Sequence, residues 1–205
     1  MGLGAIVKIF TRLVLLPLLI LVEPCALAIG NDARAAFAAL LDEASLRIDT
    51  PRNFSTTPVQ ENALLPYEHA LRHDSGAVEV RFIIRPLSRI TIDYSDPHNA
   101  APEPEHLFPL LFESITTQLS VDSHTPSSTF SEAIAESSFN ANWAAAAAFD
   151  IDPRFANGYR NALLIAMHRN RVADAYTLFL YNDQEQAKPL INDLLSVMSF
   201  TPAEP

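Results

Sequence analysis

The stretch that decides the fold is YEHALRHDSGAVEVRFIIRPL, residues 67–87. Apolar and polar residues alternate on both sides of Asp74-Ser75-Gly76-Ala77, and this composition is typical of the turn of a β-hairpin. One register places Arg72 opposite Glu79, where the opposite charges stabilise the strand pair. A three-residue turn would shift the register and exchange the faces of one strand. The stretch therefore predicts an antiparallel hairpin over 67–86.

In this register the two faces of the hairpin differ in character, because side chains alternate along a strand. One face is mainly apolar and carries Tyr67, His69, Leu71, Val78, Val80, Phe82 and Ile84. The other face is charged and carries Glu68, Arg72, Glu79, Arg81 and Arg85. The hairpin is thus expected to place a group of charged side chains on one side of a sheet.

A second hairpin is predicted over 160–181. Its polar turn lies near Arg169-Asn170, where asparagine tolerates the left-handed backbone that a tight turn needs. Short strands are also expected near 46–49 and over 90–94. Strands that come as adjacent antiparallel pairs favour an α+β fold over a doubly wound parallel sheet.

Apolar residues at helical spacing predict helices over 31–45, 106–119, 132–138 and 183–198. The second of these directs Leu107, Leu110, Leu111, Ile115 and Leu119 to one side. The last directs Leu190, Leu194, Leu195 and Met198 toward a core. An alanine run within 139–152 also favours helix, because alanine has the highest helix propensity.

The first 28 residues have the features of a signal peptide. Lys8 and Arg12 precede the apolar run 13–22, and small residues stand at Ala26 and Ala28, the positions that a signal peptidase inspects. Cleavage after Ala28 predicts a periplasmic or secreted protein. An uncleaved membrane anchor and a lipoprotein carrying lipid on Cys25 are the alternatives.

The predicted organisation is a signal peptide at 1–28, an N-terminal helical segment at 29–45 and one α+β domain at 46–205. The chain of 205 residues has a length typical of a single domain. No linker rich in glycine or serine divides it, and the spacing of its elements shows no repeat of solenoid period. The fold class is therefore an antiparallel β-sheet flanked by helices.

Composition excludes several classes of function. The formal net charge is −10, whereas a protein that binds nucleic-acid phosphates needs a basic face. One cysteine excludes a disulfide framework and a cysteine-ligated metal cluster. Five glycines, two of them in the first four residues, leave little for a phosphate-binding loop. We expect no nucleic-acid partner, no cofactor, and no membrane contact once the signal peptide is removed.

The pattern resembles the PsbP-like superfamily, including its bacterial exported members. The similarity covers most of residues 46–200, through a signal peptide, the hairpin ending in VEVRFIIRPL, a helical insert, the hairpin through VADAYTLFLYND, and a closing helix. The resemblance implies an antiparallel sheet sandwiched by helices, acting as a non-catalytic binding or accessory domain. No residue of this sequence matches a functional motif of the superfamily.

Three arginines, Arg81, Arg85 and Arg89, recur every four residues in this acidic chain and form the candidate binding site. Arginine favours two-point recognition of carboxylates, which is a reason to expect a partner there. The structural alternative is that Arg81 and Arg85 pair with Glu79, Glu68 or helix carboxylates. Truncating both would then weaken folding, whereas a binding role would leave stability unchanged and lose the partner.

Other groups of polar residues do not predict a catalytic or metal site. His69 and His73 would lie about 13 Å apart on one strand at ~3.3 Å per residue, too far to share an ion. Loop residues around His98 and His106 have no spacing that fixes a coordination geometry. Asp174 interrupts an apolar strand and needs a partner, for which Arg160 and Arg171 are candidates, or else contact with solvent at a sheet edge.

The leading functional hypothesis is a non-enzymatic exported binding or accessory protein with a protein partner or a small ligand. A hydrolase or a metal-dependent enzyme with an unrecognised site is the alternative. A small-molecule carrier is the third hypothesis, and it requires an apolar cavity between sheet and helices.

Overall fold

The structure is a computed structural model that describes residues 25–91, 104–122 and 125–202. Its helices in these ranges are α1 (Cys25–Glu43), α2 (Pro104–Leu119), α3 (Glu132–Phe139) and α4 (Gln184–Asn192), with a 3₁₀ helix at Leu87–Arg89. The strands are β1 (Leu46–Ile48), β2 (Phe54–Thr56), β3 (His69–His73), β4 (Val78–Pro86), β5 (Ser127–Thr129), β6 (Trp143–Asp150), β7 (Asn161–Arg169), β8 (Ala173–Tyr181) and β9 (Met198–Phe200). The predicted α+β class is confirmed.

Seven strands form one antiparallel sheet in the order β2-β3-β4-β8-β7-β6-β5. Both predicted hairpins are present as β3–β4 and β7–β8, and they lie side by side because β4 pairs with β8 along its whole length. The remaining strands, β1 and β9, pair as a separate two-stranded sheet. The two hairpins therefore make the centre of the fold.

The predicted register of the first hairpin is confirmed. Arg72 pairs with Glu79 across the strands, and their side chains form an ion pair of 2.5 Å. The Ser75 hydroxyl accepts a hydrogen bond from the Ala77 amide and lies 2.7 Å from His73 Nδ1, so it holds the turn. Gly76 completes the turn in the left-handed region at φ 73°.

Helices cover both faces of the sheet. The first face consists of the odd-numbered residues of β8 and the even-numbered residues of β4. It is covered by α1, α3, α4 and the β1–β9 pair. On the second face, α2 and the segment after β6 pack against the opposite set. On the hairpin face predicted to be charged, Glu79 and Arg81 are buried, whereas Arg72 is exposed. Tyr67 lies on this second face and not on the first, because it precedes β3 and escapes the strand alternation.

The alanine run is a strand and not a helix. Residues Ala144 to Ala148 lie in β6, between β5 and β7. Tertiary pairing overrides the helix propensity of alanine here. The small side chains of Ala145 and Ala147 share a core cluster with the bulky Phe108 and Phe112 of α2, so the helix fits closely over β6.

Helix α2 ends where predicted and begins two residues earlier, at Pro104, but its buried side differs from the prediction. Phe108, Phe112 and Leu119 are buried, whereas Leu110 is 67% exposed and Leu111 is also exposed. The aromatic side chains bury more apolar area than leucines, and they set the rotation of the helix. As a consequence, Leu111 and Ile115 lie at the margin of the helix–sheet contact.

The closing helix ends earlier than predicted. Helix α4 stops at Asn192, a turn follows, and the chain returns as β9. Leu194 is buried in that turn, and Met198 is buried in β9, whereas Leu195 is 40% exposed. Pairing of β9 with β1 takes the backbone hydrogen bonds that a longer helix would have made.

Smaller differences concern turns and edge strands. Arg171, not Asn170, takes the left-handed backbone in the β7–β8 turn at φ 62°. The strand predicted over 90–94 is absent at Ile90 and Thr91, and the rest of it lies outside the described residues. The edge strands β2 and β5 lie in stretches for which the sequence predicted no helix or strand. No helix in the described ranges is both long enough and apolar enough to cross a membrane.

Candidate functional site

A cleft of about 470 Å³ opens where β4 ends, between the sheet, α2 and the 3₁₀ helix. Its volume lies within the range typical of small-ligand sites. Apolar side chains make most of its wall: Leu40, Leu65, Ile83, Ile84, Pro86, Ile90, Leu111 and Ile115. Polar side chains complete it: Glu68, Arg85, Arg89, Asp174 and Tyr176.

The apolar wall follows from the rotation of α2. Because Phe108 and Phe112 hold that helix on the sheet, Leu111 and Ile115 are left beside the groove and not beneath the helix. Ile90, just after the 3₁₀ helix, is 41% exposed and faces the same space. Exposed aliphatic side chains around a concave surface are a feature of binding sites.

Arg85 is held at one side of the cleft by three acceptors. Its Nη1 donates to Glu68 Oε1 at 2.7 Å and to the Ile84 carbonyl, and its Nη2 donates to the Pro66 carbonyl at 2.7 Å. Glu68 in turn accepts from the Ile84 amide. The guanidinium is fixed in orientation although about a third of the side chain is exposed.

Arg89 stands at the rim of the cleft and joins the 3₁₀ helix to the end of α1. Its guanidinium donates to both carboxylate oxygens of Glu43, which also accepts a hydrogen bond from Ser88. These hydrogen bonds, from Arg89 first, hold the pKa of the Glu43 carboxyl below its usual value. The pair is solvent-exposed, and exposed pairs add little to stability.

Asp174 finds its partner in His168, not in Arg160 or Arg171 as the sequence suggested. The His168 Nδ1 donates to Asp174 Oδ1 at 2.6 Å, and its Nε2 lies 3.1 Å from Asn170 Oδ1. Both side chains of the pair are buried. His168 does not line the cleft, so the pair ties the β7–β8 turn to the sheet and presents only the aspartate to the cleft.

Among the described residues, Tyr176 is the one tyrosine that lines the cleft. Its ring packs beside Phe108 at 5.9 Å between centroids, and it lies beside Ile83 on the paired strand. Burial raises the pKa of the Tyr176 phenol strongly, and the charge of Asp174 raises it further. The hydroxyl therefore stays protonated as a donor, and it makes no hydrogen bond to any other described residue.

Arg81 lies away from the cleft in a buried network. It donates to Glu79 at 2.8 Å and to the Phe155 carbonyl at 3.1 Å, and its guanidinium lies over the rings of Tyr67 and Phe155. Burial alone would raise the pKa of Glu79, but hydrogen bonds from Arg72 and Arg81 outweigh it and lower that pKa. Such a network braces the sheet against the segment after β6.

The structure therefore separates the three candidate arginines. Arg85 and Arg89 come together at the cleft, whereas Arg81 is placed in the protein interior. Each of the three is paired with a carboxylate. The sequence analysis did not identify Tyr176 as a binding residue. Its position two residues after Asp174 on β8 is the signal that places both side chains on the same face of the sheet.

The histidines considered as ligands are dispersed. His69 stacks on Phe37 at 4.4 Å, and burial lowers its pKa. His106 is exposed on α2, and His98 lies outside the described residues. In the described ranges, no three His, Cys, Asp or Glu side chains group closely enough to hold a metal ion.

A comparison with protein-family models and with curated proteins finds no match. Among solved structures, the chain is similar to the solution structure of cyanobacterial PsbP (CyanoP) from Synechocystis sp. PCC 6803. The TM-score is 0.42 at 11% sequence identity, and the match covers 77% of this chain and 88% of that chain. The likeness concerns the course of the backbone alone.

Proposed function

We propose that this protein is a non-enzymatic, exported binding protein that takes a small ligand in the cleft beside α2. The observation that carries the proposal is the apolar cleft itself, since a carrier needs such a space between sheet and helix. Arg85 and Arg89 orient the ligand at the polar side of this cleft. Arg81 acts as a framework residue.

The chemistry of the lining favours binding over hydrolysis. A hydrolytic site needs a nucleophile and a base that meet at the substrate. Here His168, which is hydrogen-bonded to the lining residue Asp174, is buried and has partners at both ring nitrogens. Asp174 is held by that histidine, and Arg85 is held by Glu68. These groups fix the shape and polarity of the cleft.

Filling the cleft should abolish binding. We expect Ile115→Trp to weaken binding of 1-aminoanthracene, a neutral apolar fluorophore, at least tenfold, because the indole occupies the space between α2 and β4. Fluorescence titration of the purified protein measures this. Leu110→Trp is the matched control, since Leu110 is on the same helix but points to solvent and does not line the cleft. Equal affinity of both variants and the wild type would refute a site in this cleft.

Export is tested separately by the start of the mature chain. We expect protein from the exported fraction to begin at Ile29, because Ala26 and Ala28 fit the positions that a signal peptidase reads. Intact-mass analysis measures the start, and Ala28→Phe should block the cleavage. A wild-type chain that begins at Met1 and sediments with membranes would contradict the proposal. A lipid-modified Cys25 would do so as well.

A further inference from the structure

The two arginines at the cleft are both neutralised by carboxylates. Arg85 is paired with Glu68, and Arg89 is paired with Glu43. Asp174 adds a buried carboxylate that is hydrogen-bonded to His168. The cleft therefore has no surplus of positive charge, and an anionic ligand would gain no net attraction on entering it.

The polar end of the cleft nevertheless offers hydrogen-bond donors. The Tyr176 hydroxyl has no acceptor among the described residues, and the Nε of Arg85 likewise makes no hydrogen bond to them, because the three bonds of that guanidinium come from its Nη atoms. A ligand that displaces water from these donors must supply an acceptor in its place, because a donor buried without a partner costs free energy. An ammonium group has only hydrogen-bond donors, so it would leave the Tyr176 hydroxyl and the Arg85 Nε without an acceptor.

We infer that the ligand of this cleft is a neutral, mainly aliphatic molecule with one carbonyl oxygen, which accepts a hydrogen bond from the Tyr176 hydroxyl. The aliphatic part lies along Leu111, Ile115 and Ile90, and the carbonyl reaches the end near Asp174 and Arg85. This inference rests on the proposed function and adds the chemical class of the ligand. Esters and amides with a short alkyl chain belong to that class.

Three probes with the same chain length test the class. Methyl octanoate is neutral, octanoate is an anion and octylammonium is a cation at neutral pH. Each displaces bound 1-aminoanthracene from the full chain in a fluorescence competition. We expect methyl octanoate to bind at least fivefold more tightly than either ion, with an affinity that does not change between 50 and 500 mM salt, about a threefold change in Debye length.

The role of the hydroxyl is tested by Tyr176→Phe, which keeps the ring against Phe108. We expect this variant to bind methyl octanoate five- to tenfold more weakly while octylammonium binding is unchanged. Tyr181→Phe is the matched control, since Tyr181 belongs to the same strand, is half-buried and does not line the cleft. Thermal melting of both variants shows that the fold is retained.

The outcomes separate the two proposals. Preference for octanoate or octylammonium, with loss of that binding in Ile115→Trp, would overturn the ligand class and leave the cleft as the binding site. The same holds if Tyr176→Phe binds the ester as tightly as the wild type does. Failure of all three probes and of 1-aminoanthracene to bind would overturn both proposals.

Discussion

Replacing Arg81 with alanine should lower the free energy of unfolding by about 3 kcal/mol, because it removes one partner of a buried ion pair. The side chains of Arg81 and Glu79 are only 7% and 4% exposed. Removing one partner of a buried ion pair costs about 3–5 kcal/mol. Without Arg81, the Glu79 carboxylate keeps Arg72 and Tyr159 as partners, so we expect a loss near the low end of this range. The Phe155 carbonyl loses its donor as well. Urea unfolding followed by far-ultraviolet circular dichroism measures the change.

Arg85→Ala is the control on the same strand face. About a third of this side chain is exposed, as is about a quarter of Glu68, and pairs of this kind contribute about 0–1 kcal/mol. We therefore expect a small loss of stability. If Arg81→Ala were as stable as the wild type, Arg81 would not be a framework residue and a binding role for it would regain support. If Arg85→Ala were the more damaging, the separation of the arginines by position would be wrong.

Local sequence signals sufficed for the two hairpins. The alternation on both sides of the turn at Ser75 and Gly76 sets the pairing, and the Arg72–Glu79 pair adds to the same register. Helix α3 likewise begins at the predicted residue, because the Ser131 hydroxyl accepts a hydrogen bond from the Ile134 amide and caps it. In each case, residues close in the sequence make the interaction that decides the structure.

The elements that were wrongly predicted depend on distant partners. The alanine run becomes β6 because β5 and β7 flank it and α2 needs small residues beneath its phenylalanines. The end of α4 is decided by β1, about 150 residues earlier in the chain, because β9 pairs with it. Propensity and periodicity describe one segment at a time, so they cannot weigh such contacts.

The candidate site was predictable only in part for the same reason. The spacing of Arg85 and Arg89 was visible, but the partners that neutralise them come from Glu68 and from Glu43 at the end of α1. The cleft exists because α2 is rotated toward its aromatic side. Spacing along α2 alone favoured Leu110 and Leu111 as the buried face, and this rotation was therefore not foreseen.

The second large effect concerns the turn that replaces the last part of the predicted closing helix. We expect Leu194→Asp to lower the free energy of unfolding by about 3–5 kcal/mol, because it removes a buried leucine and places an unpaired carboxylate in the core. Leu194 is 4% exposed and packs in the cluster that joins α4 and β9 to the first face of the sheet. The midpoint of urea unfolding measures the change.

Leu195→Asp is the matched control one residue further along. A regular helix over 183–198 would direct both leucines toward the core, so both substitutions would be severe. In the structure Leu195 is 40% exposed, and a charge there meets water, which limits the loss to about 0.5 kcal/mol. A large difference between the two variants supports the turn before β9. Equal and severe losses would favour the longer helix, and an unchanged midpoint for Leu194→Asp would mean that α4 and β9 do not pack on the sheet.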